Sequence, residues 1–197
     1  MTRTPPINRR TLINLTIVVE ALLLLAATGW SRLIELPLAK VFVFDYKSML
    51  LGVIVGALMA GAGYLVYLLS RNVPFMRQVR ETVEEFLIPL VAELKPIDMV
   101  IIAVLSGFCE EVFFRGVAQQ KFGLLLTSIA FGLFHDPSFR NLSYSFLAFL
   151  YGLALGSLFL YTGNIWAPIF AHATHNLLTL LVLRYWVKPP ASPVSEP

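Results

Sequence analysis

The stretch Ile97-Asp-Met-Val-Ile-Ile-Ala-Val-Leu-Ser-Gly-Phe-Cys-Glu-Glu-Val-Phe-Phe-Arg-Gly-Val-Ala-Gln119 decides the fold class. As a helix rising about 1.5 Å per residue it can cross a hydrocarbon core of about 30 Å. Yet it carries Glu110, Glu111 and Arg115 in its second half. A charged side chain at bilayer depth costs roughly 2.5–3.5 kcal/mol, so such groups face a partner or a water-filled cavity. The chain's only three histidines, His135, His172 and His175, fall on later apolar segments. Carboxylates, an arginine and imidazoles confined to the hydrophobic half of one small chain are the composition of a polar site enclosed in a membrane protein.

The rest of the chain agrees. Of 197 residues, 57% are hydrophobic and only 14% charged, against about 25% charged in soluble domains. Five further apolar runs flank the central one, giving six predicted spans: about Leu12–Trp30, Ser48–Ser70, Ile97–Gln119, Phe122–His135, Leu142–Tyr161 and Ile165–Trp186. Backbone groups in lipid must be bonded internally, so all six are expected to be helices, with no strand and no soluble domain. The first run is too long for a cleavable signal peptide and has no small-residue cleavage site after it. The fourth is short and stops at His135-Asp136-Pro137, which places His135 at a helix end.

Between the second and third spans, Val79, Val83, Phe86, Leu87 and Leu90 recur at helical spacing opposite Arg80, Glu81, Glu84 and Glu85. This reads as an amphipathic helix in the membrane interface, bent near Pro89. Residues 1–96 thus form an N-terminal two-span region, residues 97–188 the core, and residues 189–197 a Pro- and Ser-rich tail expected to be disordered.

Loop charges set the orientation. With the N-terminus inside, Arg3, Arg9, Arg10, Arg71, Arg77, Arg80, Lys95, Arg140, Arg184 and Lys188 are internal. Only Arg32, Lys40, Lys47 and Lys121 are external, so both termini are expected in the cytoplasm. The net charge of +3 gives no reason to expect a nucleic-acid partner. Cys109, the single cysteine, allows no intrachain disulfide and reads as a small apolar packing residue.

Helical spacing sorts the central charges. Glu111 and Arg115, four apart, share a face and can pair, whereas Glu110 is rotated by about 100° and is left to point elsewhere. His172 and Asn176 share a face of the last span. Counted from the predicted span ends at about 1.5 Å per residue, Glu110 and His172 each lie about 10 Å below the outer surface. On the same count His135 lies about 10 Å deeper. Glu20, in the first span, is either a packing carboxylate or a helper in the cavity. His175 is expected to pack beside the site, and Tyr144 and Tyr151 are candidates to line a substrate cleft.

Three segments carry a resemblance: Glu110-Glu111-Val-Phe-Phe-Arg115, Phe131-Gly-Leu-Phe-His135 and His172-Ala-Thr-His-Asn176. Each is a weak motif alone. In this order, each in an apolar helix, they resemble the motifs of the CAAX protease and bacteriocin-processing family, which contains the type II CAAX prenyl endopeptidases. The resemblance covers about Ile97–Trp186. It implies an intramembrane endopeptidase with its catalytic core in the last four spans. In it Glu110 activates water with help from His135, and His172 and Asn176 form the oxyanion-stabilising side.

Both metal-free and metal-dependent mechanisms have been argued for the family. Here no HExxH helix is present, which favours no cofactor, and a zinc ion would take Glu110, His135 and His172. The expected partners are a protein or peptide substrate in or at the membrane and the lipid bilayer. A prenylated protein, a bacteriocin leader peptide and a sorting segment all remain compatible. Short loops point to a bacterial inner membrane. Competing readings are a proton-coupled carrier, which buried Glu and His residues would suit, and a non-catalytic immunity or scaffold protein of the same fold.

Overall fold

The computed structural model describes residues 8–136 and 141–187. The expected tail lies outside these residues. Every regular element among the described residues is helical: α1 (Arg9–Leu33), α2 (Tyr46–Leu69), α3 (Arg77–Glu81), α4 (Ile88–Ala92), α5 (Pro96–Phe113), α6 (Gln119–His135), α7 (Leu142–Thr162) and α8 (Trp166–Tyr185), with short 3-10 and π turns between some of them. The protein is an all-α polytopic membrane protein.

Among the described residues, four helices are long and apolar enough on their own to span a bilayer: α1, α2, α7 and α8. The other two predicted spans differ for physical reasons. Asp98, Glu110 and Glu111 interrupt the apolar character of α5, and α6 is broken at Gly123, whose φ of 78° is open only to a residue without a Cβ clash.

At the centre α5 packs on α8; α1 lies along α5, α2 along α8, and α6 along α7. Lipid offers no hydrophobic drive between helices, so close approach through small residues is what binds them. Gly52 and Gly56 set the backbone of α2 against α8: a Cβ at either would sit 2.3 or 2.2 Å from the carbonyl oxygen of Ala167 or Ala171. Gly107 does the same between α5 and Ala173, and Gly132 between α6 and the Ser145 carbonyl. Arg9 grips Asp98 with two bonds of 2.5 and 2.6 Å, which joins the start of α1 to the start of α5. Asp98 also accepts the Lys95 backbone N–H at 2.7 Å, satisfying one of the free donors of that helix end.

The amphipathic segment is helical over residues 77–92, and its buried face keeps the predicted Val79 and Val83 but not Phe86. A π turn spans Thr82–Leu87, and the Ile88 N–H reaches back five residues to the Val83 carbonyl. The extra residue shifts the stripe. Val79, Val83, Ile88 and Val91 are buried, whereas Phe86 is 56% exposed.

A second π turn, Phe114–Ala118, continues α5 into the start of α6. The helical path therefore runs past the predicted span end to Gly123, where the chain reverses. Glu110 and His135 both lie roughly 20 Å along the chain from that break, at about 1.5 Å per residue. This corrects the depth mismatch expected for His135: the two residues are level.

The segment after α1 folds inward. Asn164 donates to the Val43 carbonyl at 2.6 Å and Ile165 N–H to the Val41 carbonyl at 3.0 Å, so α8 begins inside the protein with Ile165 and Ala167 fully buried. Trp166 packs on Phe42, Phe108 and Phe170.

Candidate active site

The last two turns of α5 present successive side chains to different neighbours. Glu111 is fully buried and its Oε1 accepts two bonds, from Arg115 Nη1 at 3.0 Å and from His172 Nδ1 at 2.8 Å. Arg115, also fully buried, donates from Nη2 to the Gly152 carbonyl of α7 at 2.9 Å, and its guanidinium lies 4.6 Å from the centre of the Phe131 ring. One turn further, Gln119 donates to the Gly156 carbonyl at 2.9 Å. Gly152 and Gly156 thus dock two polar side chains, four residues apart, onto the backbone of α7. A Cβ at Gly156 would lie 2.5 Å from the Gln119 amide oxygen.

Glu110 points the other way. It is 6% exposed, and its Oε2 stands 3.8 Å from His135 Nε2, beyond hydrogen-bond length and with no hydrogen-bond partner. His135 Nδ1 lies 2.8 Å from the Phe131 carbonyl. Only an N–H can bond that oxygen, so the proton is assigned to Nδ1 and Nε2 is left free towards Glu110. The rings of His135 and His172 both contact Phe131, at 4.4 and 5.8 Å between centres. One turn after His172, Asn176 donates to Ser106 Oγ at 2.8 Å.

Two cavities meet at this cluster. One, an open cleft of about 270 Å³, is bounded by α1, Glu110, Phe134 and His135. The other, of about 140 Å³, is walled mainly by apolar side chains of α2, α7, α8 and the segment 77–92, and receives His135, His172, His175 and Asn176. Tyr144 and Tyr151 line it as well. His135 borders both cavities. Glu110 lines the first, His172 the second, and His135 stands where the two meet. The ring of His175 packs 4.5 Å from that of Tyr151, with Nδ1 unpartnered.

Two residues escaped the sequence reading. Ser106 precedes Glu110 by one turn and could have been found by its spacing. Gln119 follows Arg115 by four. The bond from Tyr151 to the Met59 carbonyl, 3.2 Å across α7 and α2, likewise had no local signal. Among the described residues no group of three or more His, Cys, Asp or Glu side chains is arranged to hold a metal ion. Of the three residues considered for zinc, His172 gives its Nδ1 to Glu111 and faces a different cavity from Glu110.

Fold and site together define a polytopic helical membrane protein with an enclosed Glu–His pair beside a buried Glu–Arg–His network. Residues 92–178 match the family model described as type II CAAX prenyl endopeptidase Rce1-like, the family to which the three motifs pointed. That segment holds Glu110, Glu111, Arg115, His135, His172 and Asn176. The chain is also similar to an uncharacterized protein, YpbD of Bacillus subtilis (strain 168), with 37% identity over 91 residues, or 44% of this chain and 46% of the relative. The chain thus spans about half the length of the curated relative it matches. No solved structure matches it.

Proposed function

We propose that the protein is an intramembrane endopeptidase that hydrolyses a peptide bond of a membrane-associated protein or peptide without a metal ion. The observation that carries this reading is the pair Glu110 Oε2 and His135 Nε2, 3.8 Å apart, set between a cleft and an apolar cavity lined by His172 and Asn176. A carboxylate beside a free imidazole nitrogen, with room for water, is suited to general-base chemistry. The peptide enters the apolar cavity with its carbonyl towards His172 and Asn176. Glu110, assisted by His135, takes a proton from water as the oxygen adds to the carbonyl carbon. The C–N bond then breaks and the proton passes to the leaving amine.

Asn176 Nδ2 offers an N–H to the developing oxyanion. His172, fixed through Nδ1 by the Glu111 carboxylate, lines the same side. Preset donors of this kind are worth about 2.7–4 kcal/mol each in known oxyanion holes. Glu111 and Arg115 hold His172 in place. The protein is further proposed to reside in a bacterial inner membrane with both termini cytoplasmic.

The test works with an unidentified substrate. New peptide N-termini are compared in membranes from cells expressing the wild type and Glu110→Gln at equal levels. Cleavages present only with the wild type are expected. Identical profiles with both proteins would remove the protease reading, and a proton-coupled carrier would then be tested by flux.

A further inference from the structure

The cleft of about 270 Å³ contains a second carboxylate that the motifs do not include. Glu20, in the middle of α1, is only 6% exposed, and its Oε2 is buried without a hydrogen-bond partner. Glu110 Oε2 is in the same condition on the opposite wall. Thr16, one turn before Glu20, lines the same cleft, so α1 turns a hydroxyl and a carboxyl towards Glu110. Leu15 and Val19 line the cleft too, while Val18, Leu22 and Leu25 face outward. Buried polar atoms are almost always bonded, and the two unpartnered carboxyl oxygens give a water in this mainly apolar-walled cleft its partners. A water needs only about 10–15 Å³ of such space, so the cleft has room for one between the two carboxyls.

We propose that Glu20 is a positioning residue for the attacking water: a water bridges its Oε2 to Glu110 Oε2, beside His135. This deepens the protease reading and rests on it for the catalytic step. It assigns α1, outside the family match at residues 92–178, a part in the site. Glu20 forms and breaks no bond. It accepts one hydrogen of the water, so that the oxygen lone pair is aimed past His135 at the peptide carbonyl, while Glu110 takes the other hydrogen.

The experiment uses the full chain in lipid nanodiscs, with an internally quenched farnesyl-cysteine CAAX peptide as probe. Glu20→Leu is expected to lower kcat about 10²-fold, the scale of a misplaced reacting group, with KM within about twofold. Glu20→Gln, which keeps one acceptor, should fall between it and the wild type. Thermal unfolding of each variant checks the fold, and Glu20→Gln, nearly isosteric, decides the matter if Glu20→Leu misfolds. An experimental density map of the wild type should show water between the two carboxyls.

Unchanged kcat in folded variants, a change confined to KM, or a dry or lipid-filled cleft would each overturn the proposal. A wild type inert towards the probe would exclude this prenylated substrate only. The same rates are then read on a peptide spanning a cleavage found in the membrane comparison. Failure to find any such cleavage would count against the protease reading, not the water site.

Discussion

Glu110 and Glu111 are adjacent in sequence and opposite in circumstance. Glu111 is fully enclosed, its Oε1 holding Arg115 and His172 while its Oε2 has no partner; Glu110 turns its unpartnered Oε2 to a cleft. Glu110→Gln is therefore expected to abolish cleavage while the unfolding temperature stays near that of the wild type. Arg115→Ala leaves Glu111 buried without its cation, and breaking such a pair costs about 3–5 kcal/mol, visible as a large drop in unfolding temperature. Loss of activity in a folded Glu111→Gln with Glu110→Gln active would reverse the two roles. Outside the spans, Asp45 caps α2 by accepting the Ser48 hydroxyl and the Lys47 and Ser48 backbone N–H groups. Those bonds, the Ser48 hydroxyl foremost, hold its carboxyl below the usual value of 3.8. A depressed carboxyl stabilises above its unfolded pKa and loses that contribution only as pH falls through the folded value. Asp45→Asn should leave the thermal stability profile between pH about 6 and 8 unchanged in shape.

At the scale of elements, the π turns separate what the sequence pattern shows from what the fold does. Spacing alone nominates Phe86 as a buried residue of the interfacial helix, and a regular α-helix would bury it. The turn over Thr82–Leu87 inserts one residue and brings Ile88 inward instead. Ile88→Ala is expected to cost about 2–5 kcal/mol as a buried truncation, whereas Phe86→Ala should leave stability nearly unchanged, read by thermal unfolding in detergent. Helix type is decided by tertiary packing that residue periodicity does not encode. The GxxxG spacing of Gly52 and Gly56 was readable in principle, because only glycine admits the carbonyls of Ala167 and Ala171 at such range. Gly56→Leu should detach α2 from α8 and abolish folded protein on size-exclusion chromatography.

For the whole molecule, the all-helical class was legible because hydropathy and backbone satisfaction leave few alternatives in lipid. The pairing of Glu111 with Arg115 was legible because both lie on one helix. What spacing could not supply were contacts between helices: His172 on Glu111, Asn176 on Ser106, and Gln119 on the Gly156 carbonyl. The meeting of two cavities at His135 was equally hidden. Metal dependence is a property of the purified whole. The expected result is well below one zinc per chain by elemental analysis and activity that survives chelators. Stoichiometric metal, with activity lost on its removal and restored on its return, would replace the metal-free mechanism.

The reversal at Gly123 makes the two arms of the 110–135 segment a matched pair of rulers. Adding one residue to either arm would slide its reactive group by about 1.5 Å and swing it by about 100°. Substitutions along these arms can be absorbed locally, but a change of length in one arm alone cannot. Single-residue insertions between Glu110 and Gly123, or between Gly123 and His135, should silence the protein even where the inserted residue is alanine. A compensating insertion in the opposite arm restores level but not rotation. The count of residues on each side of one glycine is thus as much a part of this site as the identity of its glutamate and histidine.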